Sequence, residues 1–268
     1  MKLTAENYYS PFADFAYMSV SQYKHFAGTY GRLGCEAQAI ARLRGEYEEE
    51  PSTAMLVGSY VDAYFEGTLD AFRDTHPELF TQKGELKATY KKAEEMIARA
   101  TRDKLFMQYM SGEKQVIMTG ELFGAKWKIK MDSYIPGKAI VDLKCMSSLT
   151  KMNYTADVGY LDFIRYWSYD IQGAVYQEIV RQNTGQKLPF FIAGISKEEA
   201  IDIEVIGVND IYLEEALGTV ERNMPHILEV KAGRTEPHRC GMCKYCRDTK
   251  VLTKPISISE LAQEIPTF

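Results

Sequence analysis

The stretch Lys126 to Cys145, KWKIKMDSYIPGKAIVDLKC, constrains the rest of the chain more than any other. Trp127, Ile129 and Met131 alternate with Lys128, Lys130 and Asp132, the two-residue period of a strand with one buried face. Pro136-Gly137 marks a turn. Ala139 to Cys145 resumes as a second strand, with Ile140, Asp142 and Lys144 on one face and Val141, Leu143 and Cys145 on the other. A three-residue loop of Pro136, Gly137 and Lys138 sets Asp132 directly opposite Asp142, about 5 Å away between Cβ atoms. A two-residue loop sets it opposite Val141 instead. The apolar run Ala139-Ile140-Val141 reads as a central strand, and charges that end a buried strand need partners.

In the first register two carboxylates and a lysine share one small patch. Like charges that close are costly in apolar surroundings unless a cation sits between them, and two Asp oxygens with backbone carbonyls suit a hard divalent ion such as Mg²⁺. A lysine two residues beyond the second Asp can orient a water or stabilise charge on a phosphate. D-x-K on its own also describes a solvated hairpin edge with a surface ion pair.

At 268 residues the chain can bury a full core. No apolar run approaches the ~20 residues of a membrane span, and MKLTAENYYSPF lacks the apolar centre of a signal peptide, so a cytoplasmic protein is expected. A formal charge of −5 argues against wholesale coating of nucleic acid and leaves room for a local basic groove. Five cysteines, three of them within seven residues, fit metal binding better than a disulfide framework.

Ser19 caps a short helix through Gln22 to Phe26. After Gly28, Gly31 and Gly34, Cys35 opens a helix, CEAQAIARLRGEYEEE, with a solvated acidic end. Ala54 to Phe65 is apolar enough for a buried helix, on which Gly58 and Asp62 share a face. Asp62 can reach the metal patch from there, or serve as an ordinary surface acid beside a helix-packing glycine. Lys83 to Lys104 reads as an exposed Lys- and Arg-rich helix, either solvated or tracking DNA. Three antiparallel strands are expected at roughly 113–119, 125–133 and 139–145, with turns at Thr119-Gly120 and Phe123-Gly124. A helix over about 160–183 carries Tyr169, Gln172 and Tyr176 as a stripe stopped by Gly185; an amide inside such a stripe wants hydrogen-bond partners. Strands follow at Pro189 to Ile195 and Ala200 to Val208, then a helix from Asp210 to Lys231 interrupted near Pro225.

Cys240-Gly241-Met242-Cys243-Lys244-Tyr245-Cys246 gives C-x2-C-x2-C, whose thiols can face one centre and hold a soft metal or an iron–sulfur cluster. His238 would supply a local fourth ligand. Cys35 would instead clasp the two ends of the chain, and reduced, unliganded thiols are the remaining alternative.

With Glu113, Asp132, Asp142-Leu143-Lys144 and Gln172-x-x-x-Tyr176 in this order, the chain resembles the PD-(D/E)XK nuclease superfamily. Within it the likeness is to phage and prophage RecE-like exonucleases of the exonuclease VIII type, related to the RecB and AddAB nuclease domains, and it runs from Met18 to Cys246. The resemblance implies one α/β domain over 1–268 with a restriction-endonuclease-like core. A mixed central sheet is flanked by helices, and a helical N-terminal segment (about 1–110) and a cysteine-rich segment (about 236–250) pack on that core. It implies that Asp132, Asp142 and the Leu143 carbonyl ligate Mg²⁺ or Mn²⁺, with Asp62 as a further metal candidate. Lys144 would position the attacking water or the scissile phosphate, Glu113 would be the acid that precedes the pair, and Gln172 and Tyr176 would lie beside the active site. Met131 stands where the superfamily has proline, and Asp62 where helicase-linked relatives carry histidine. In AddAB-type and CRISPR-associated nucleases of this fold, one cysteine before the core and three after it hold a [4Fe-4S] cluster. Cys35 with Cys240, Cys243 and Cys246 has that layout with a shorter last spacing, and zinc is the alternative guest.

The function implied is metal-dependent exonucleolytic cleavage of linear duplex DNA ends for phage-type recombination. DNA is the substrate, and a single-strand annealing protein and a second copy of the chain are candidate partners. The rivals are a DNA-end-trimming nuclease of the CRISPR-adaptation type and a non-catalytic DNA-binding module.

Overall fold

The structure, a computed structural model, describes residues 3–263; the ends of the expected 1–268 domain, residues 1, 2 and 264–268, lie outside the described residues. Along the chain, helices α1 (Val20–Ala27), α2 (Glu36–Leu43), α3 (Thr53–Glu66) and α4 (Lys92–Thr101) precede strands β1 (Val116–Leu122), β2 (Ala125–Met131), β3 (Ser133–Ile135) and β4 (Ala139–Met146). Then come α5 (Tyr169–Thr184), β5 (Phe190–Ser196), β6 (Ile203–Val208), α6 (Asp210–Lys231) and α7 (Lys244–Asp248), with shorter helical turns and hairpins between. The architecture is mixed α/β, a sheet flanked by helices.

The sheet runs β6–β5–β4–β3, with β5 and β4 parallel and both outer pairs antiparallel. The alternation in β4 sends its side chains into two separate cores. Ile140 packs with Phe190 and Ile192 against Val175 and Ile179 of α5 and Val220 of α6, whereas Val141 and Leu143 pack with Ala193 and Ile195 against α3 and α4. A strand covered on both faces explains the apolar run that leads into Asp142.

Ile135 pairs with Ala139, so Pro136, Gly137 and Lys138 form the three-residue loop. Continued outward, that register would bring Asp132 opposite Asp142. The chain instead bends at Asp132, which ends β2 and separates it from β3, so the expected strand 125–133 is two strands. β2 pairs with β1 as a separate ribbon, closed by Phe123 (φ 50°) and Gly124 (φ 79°) in a two-residue turn of type I′ character. Thr119-Gly120 makes no turn and lies inside β1, where a Cβ on Gly120 would meet Gln182 Oε1 at 2.5 Å.

Ser19 caps α1 by accepting from Gln22 N–H, and Cys35 is the N-cap residue of α2, which ends at Leu43, well short of Glu50. The exposed helix expected over 83–104 is shorter and amphipathic: α4 buries Ala93, Met96, Ile97 and Ala100, an i, i+3, i+4, i+7 stripe, on the core. The helix expected over 160–183 breaks at Ser168, whose φ of 53° is left-handed, leaving a short helix Phe163–Tyr166 ahead of α5. Helix α6 passes through Pro225 as one 22-residue helix rather than two. Among the described residues no helix is long and apolar enough to cross a membrane.

Candidate active site

The bend at Asp132 and the C-terminal half of β4 meet at the floor of a cleft of about 480 Å³, lined also by Asp62 of α3, Gln172 and Tyr176 of α5, and Lys128 and Lys130 of β2. Asp132 Oδ2 accepts the Leu143 N–H at 2.8 Å and Oδ1 accepts from Gln115 Nε2 at 3.2 Å. The bend thus exchanges a ladder position for a carboxylate aimed across the strands. Asp142, 3 % exposed, accepts Gln172 Nε2 on Oδ1 at 2.6 Å. Its Oδ2 is in ion-pair contact with the Lys144 ammonium but has no aligned hydrogen bond, which leaves a lone pair free in a buried place.

Electrostatics set this floor apart from an ordinary ion pair. Burial, and then the Asp142 charge, push Asp132 up to about 7, against the opposing pull of Lys144 and the Leu143 N–H. Burial, then Asp132, raise Asp62 well above the usual carboxylate range. Burial works against the Lys144 ammonium, yet Asp142, Tyr169 and Asp132 outweigh it and raise its pKa. Asp62, Asp132 and Asp142 therefore share the cleft with Lys144 as the one ammonium in ion-pair contact with any of the three among the described residues. A hard divalent cation is what such a donor set accommodates, and Asp132, Asp142 and Asp62 are the side chains placed to hold it.

Tyr176 donates to the Lys130 carbonyl at 3.1 Å and so pins α5 to β2, while Gln172 one turn earlier orients Asp142. Glu113 is not brought into the cleft. Its backbone bridges Tyr134, its side chain is exposed, and Gln115 is the residue of that segment that reaches Asp132, held there by a left-handed φ of 53°. Lys24 of α1 and Tyr8 and Tyr9 near the N-terminus also come to the site, across more than a hundred residues of sequence. Lys128, on the polar face of β2, is 1 % exposed because it turns inward to Asp14 at 2.6 Å and to the Tyr8 carbonyl. A positive φ at a non-glycine and long-range salt bridges leave no local pattern, whereas the alternating Lys128 and Lys130 were a signal that the polar face of β2 does something.

Outside the cleft lining, the sulfurs of Cys35, Cys240, Cys243 and Cys246 all lie within 4.8 Å of one another, with Cys35 and Cys246 buried. Cys35 Sγ is 3.5 Å from Cys246 Sγ. His238 contributes its backbone and not its exposed ring: its carbonyl accepts the Ala37 N–H at 3.1 Å. Burial raises Cys243, where neighbouring thiols reinforce it, whereas burial at Cys240 is outweighed by the Cys243 and Met242 N–H groups, which bring that thiol down to about 7. A poised thiolate among four convergent sulfurs is the donor chemistry of a soft metal. Cys145 stands apart, its thiol raised by burial beside α3.

A crystal structure of a protein from Eubacterium rectale, described as a "Putative exonuclease", is 66 % identical to this chain, covers 99 % of it and 100 % of its own length, and superposes with a TM-score of 0.96. The structure of SSO0001, 11 % identical over 83 % of this chain and 96 % of that one, has a TM-score of 0.29 and supports no argument. No curated protein matches the chain. A family model described as "PDDEXK-like domain of unknown function (DUF3799)" matches residues 19–249, which include α1, the bend at Asp132, β4, α5 and all five cysteines. The chain belongs to that family, and through it to the PD-(D/E)XK nuclease superfamily.

Proposed function

We propose that this protein is a metal-dependent deoxyribonuclease that degrades linear duplex DNA from its ends. The observation that carries the reading is the convergence of Asp132, Asp142, Lys144 and Gln172 on one cleft floor, where burial and the Asp142 charge push Asp132 up to about 7. A Mg²⁺ or Mn²⁺ ion bound by Asp132 and Asp142, with the Leu143 carbonyl and Asp62 as further ligands, would supply Lewis acidity and charge neutralisation at a phosphodiester. Gln172 holds Asp142 in one rotamer by occupying Oδ1, so Oδ2 stays directed at Lys144 and would be the oxygen left to ligate the ion. Lys144 then presents its ammonium to the water that attacks phosphorus or to a non-bridging oxygen on which charge develops. The new P–O bond forms from that water as the P–O3′ bond breaks; the water proton passes to solvent and the 3′-oxygen takes a proton from solvent to leave as a hydroxyl. Tyr176 acts at one remove by fixing α5 against β2. The exonuclease description of the Eubacterium rectale protein supports the choice of DNA ends, and a role in resecting ends for strand annealing, with an annealing protein as partner, follows from the same reading.

The four thiols form a structural metal centre that ties the ends of the chain. A single tetrahedral ion with Zn–S near 2.3 Å needs sulfurs about 3.8 Å apart, which suits the set as it stands. A [4Fe-4S] cluster, the guest implied by the resemblance to AddAB-type nucleases, requires the sulfurs to spread.

The test of the activity uses purified protein with Mg²⁺ or Mn²⁺ on linear and covalently closed circular duplex. Linear DNA is degraded and the circle resists; Asp142→Ala and Lys144→Ala lower the rate by at least ~10²-fold, and Gln172→Ala lowers turnover while the melting temperature moves little. Intact linear DNA with both metals would return the protein to the non-catalytic DNA-binding reading.

A further inference from the structure

Lys24, on α1, is a cation in no direct ion pair among the described residues. Its ammonium donates to the Trp167 carbonyl at 2.8 Å, the one acceptor recorded for it among the described residues, and that acceptor is neutral. It lies 4.6 Å from the centre of the Tyr169 ring, which the Lys144 ammonium approaches to 5.0 Å. Burial, and then the Lys144 charge, pull its pKa down to about 7 against Asp142 and Asp170. Lys24 and Lys144 line a cavity of about 210 Å³ with Ser21, Gln172 and Tyr176, and all of these but Lys24 also line the catalytic cleft.

A partly buried ammonium with two N–H donors left over is costly to the free protein, because one neutral carbonyl, a ring face and carboxylates that do not touch it repay its desolvation only in part. An anion entering the cavity supplies the missing charge and the missing acceptors at once. Phosphate suits the lining best: it is all acceptor, and the cavity offers two ammonium groups and the Ser21 hydroxyl. The Lys128 ammonium, by contrast, is already committed to Asp14.

We propose that Lys24 is a phosphate-binding group of the substrate site: it pairs with a backbone phosphate next to the one held at Asp142 and Lys144, so that the cleft grips two consecutive phosphates of the cleaved strand. This rests on the nuclease reading above.

The experiment is done in EDTA, without turnover, on the full-length chain. The probes are labelled duplex DNA in a salt titration and inorganic phosphate in thermal melts, with Lys24→Met and Lys24→Arg beside wild type. Lys24→Met is expected to melt no lower than wild type. It should lose most of the rise in melting temperature that inorganic phosphate gives wild type, and reduce the slope of log affinity against log salt by about one. Lys24→Arg should keep the slope. An unchanged slope and phosphate effect in Lys24→Met overturns the proposal. So does a Lys24→Met chain that melts lower or fails to fold, because the ammonium would then be a structural tie to Trp167. Failure of the nuclease reading shows elsewhere, as wild type that leaves DNA intact with metal whatever the phosphate melts report.

Discussion

Removing one acid from the cleft floor should make the metal-free protein more stable while destroying its affinity for metal. The perturbation is Asp132→Asn. Asp132 holds its proton up to about 7 in the fold, against an ordinary 3.8. Between about pH 4 and 7 the folded chain therefore binds more protons than the unfolded one, so stability is fully present below that window and is lost as pH rises through it. The gap, at about 1.36 kcal/mol per pH unit, sets a ceiling on the order of 4 kcal/mol. Asp142 and Asp62 share the repulsion and relax when one member is neutral, which brings the working figure to about 2 kcal/mol. The hydrogen bonds survive the change. The new amide oxygen can accept the Leu143 N–H, and Gln115, whose Oε1 is buried without a partner, can turn its amide over to accept from the new NH₂. In EDTA at pH 8, Asp132→Asn should melt roughly 4–8 °C above wild type; at pH 4 the two should coincide. Added Mg²⁺ or Mn²⁺ should raise only the wild type. A variant that melts below wild type at pH 8 without metal would falsify the view that the cleft is a site of unrelieved negative charge.

Four other substitutions test the packing and the thiol centre. Gly58→Ala and Gly173→Ala should move the urea midpoint in opposite directions. A Cβ at Gly58 would rest 3.7 Å from Cys145 Cβ and adds about 1 kcal/mol of helix propensity, whereas one at Gly173 would meet Phe190 Cδ1 at 2.5 Å and Leu213 Cδ2 at 2.9 Å, at a cost of about 1–3 kcal/mol. Anaerobically prepared protein should contain stoichiometric iron or zinc, and Cys35→Ser should lose it whereas His238→Ala keeps it; a metal content that follows His238 and ignores Cys35 would refute the four-thiol set.

Much of this could be read from the chain because it is written locally. The alternation through Ile140, Asp142 and Lys144, the loop Pro136 to Lys138 and the Gln172–Tyr176 spacing are short-range patterns, and a buried strand and a helix stripe follow from them. The family resemblance added the order of the acids. What escaped depends on partners far away or on backbone choices that composition does not record. The left-handed φ of Gln115 delivers an amide where an acid was expected from Glu113, and the bend at Asp132 is fixed by the Leu143 N–H on another strand. The lysines and arginines spread over 83–104 read as an exposed helix, although Ala93, Met96, Ile97 and Ala100 spell a buried stripe within α4. Lys24 becomes legible only once α1 lies beside the start of α5.

The thiol centre also puts a clock on the making of this protein. Cys35 and Cys246 touch across 211 positions of sequence. A ribosome adding about 5–20 residues per second needs roughly 10–40 s between the two, and longer before the second clears the exit tunnel. For that interval the first sulfur must wait at the start of α2 with its partners unmade, open to oxidation or to the wrong metal. The centre therefore cannot close until the second sulfur has emerged, and cells that overproduce the chain faster than they supply metal should accumulate protein in which Cys35 and Cys246 are not yet joined.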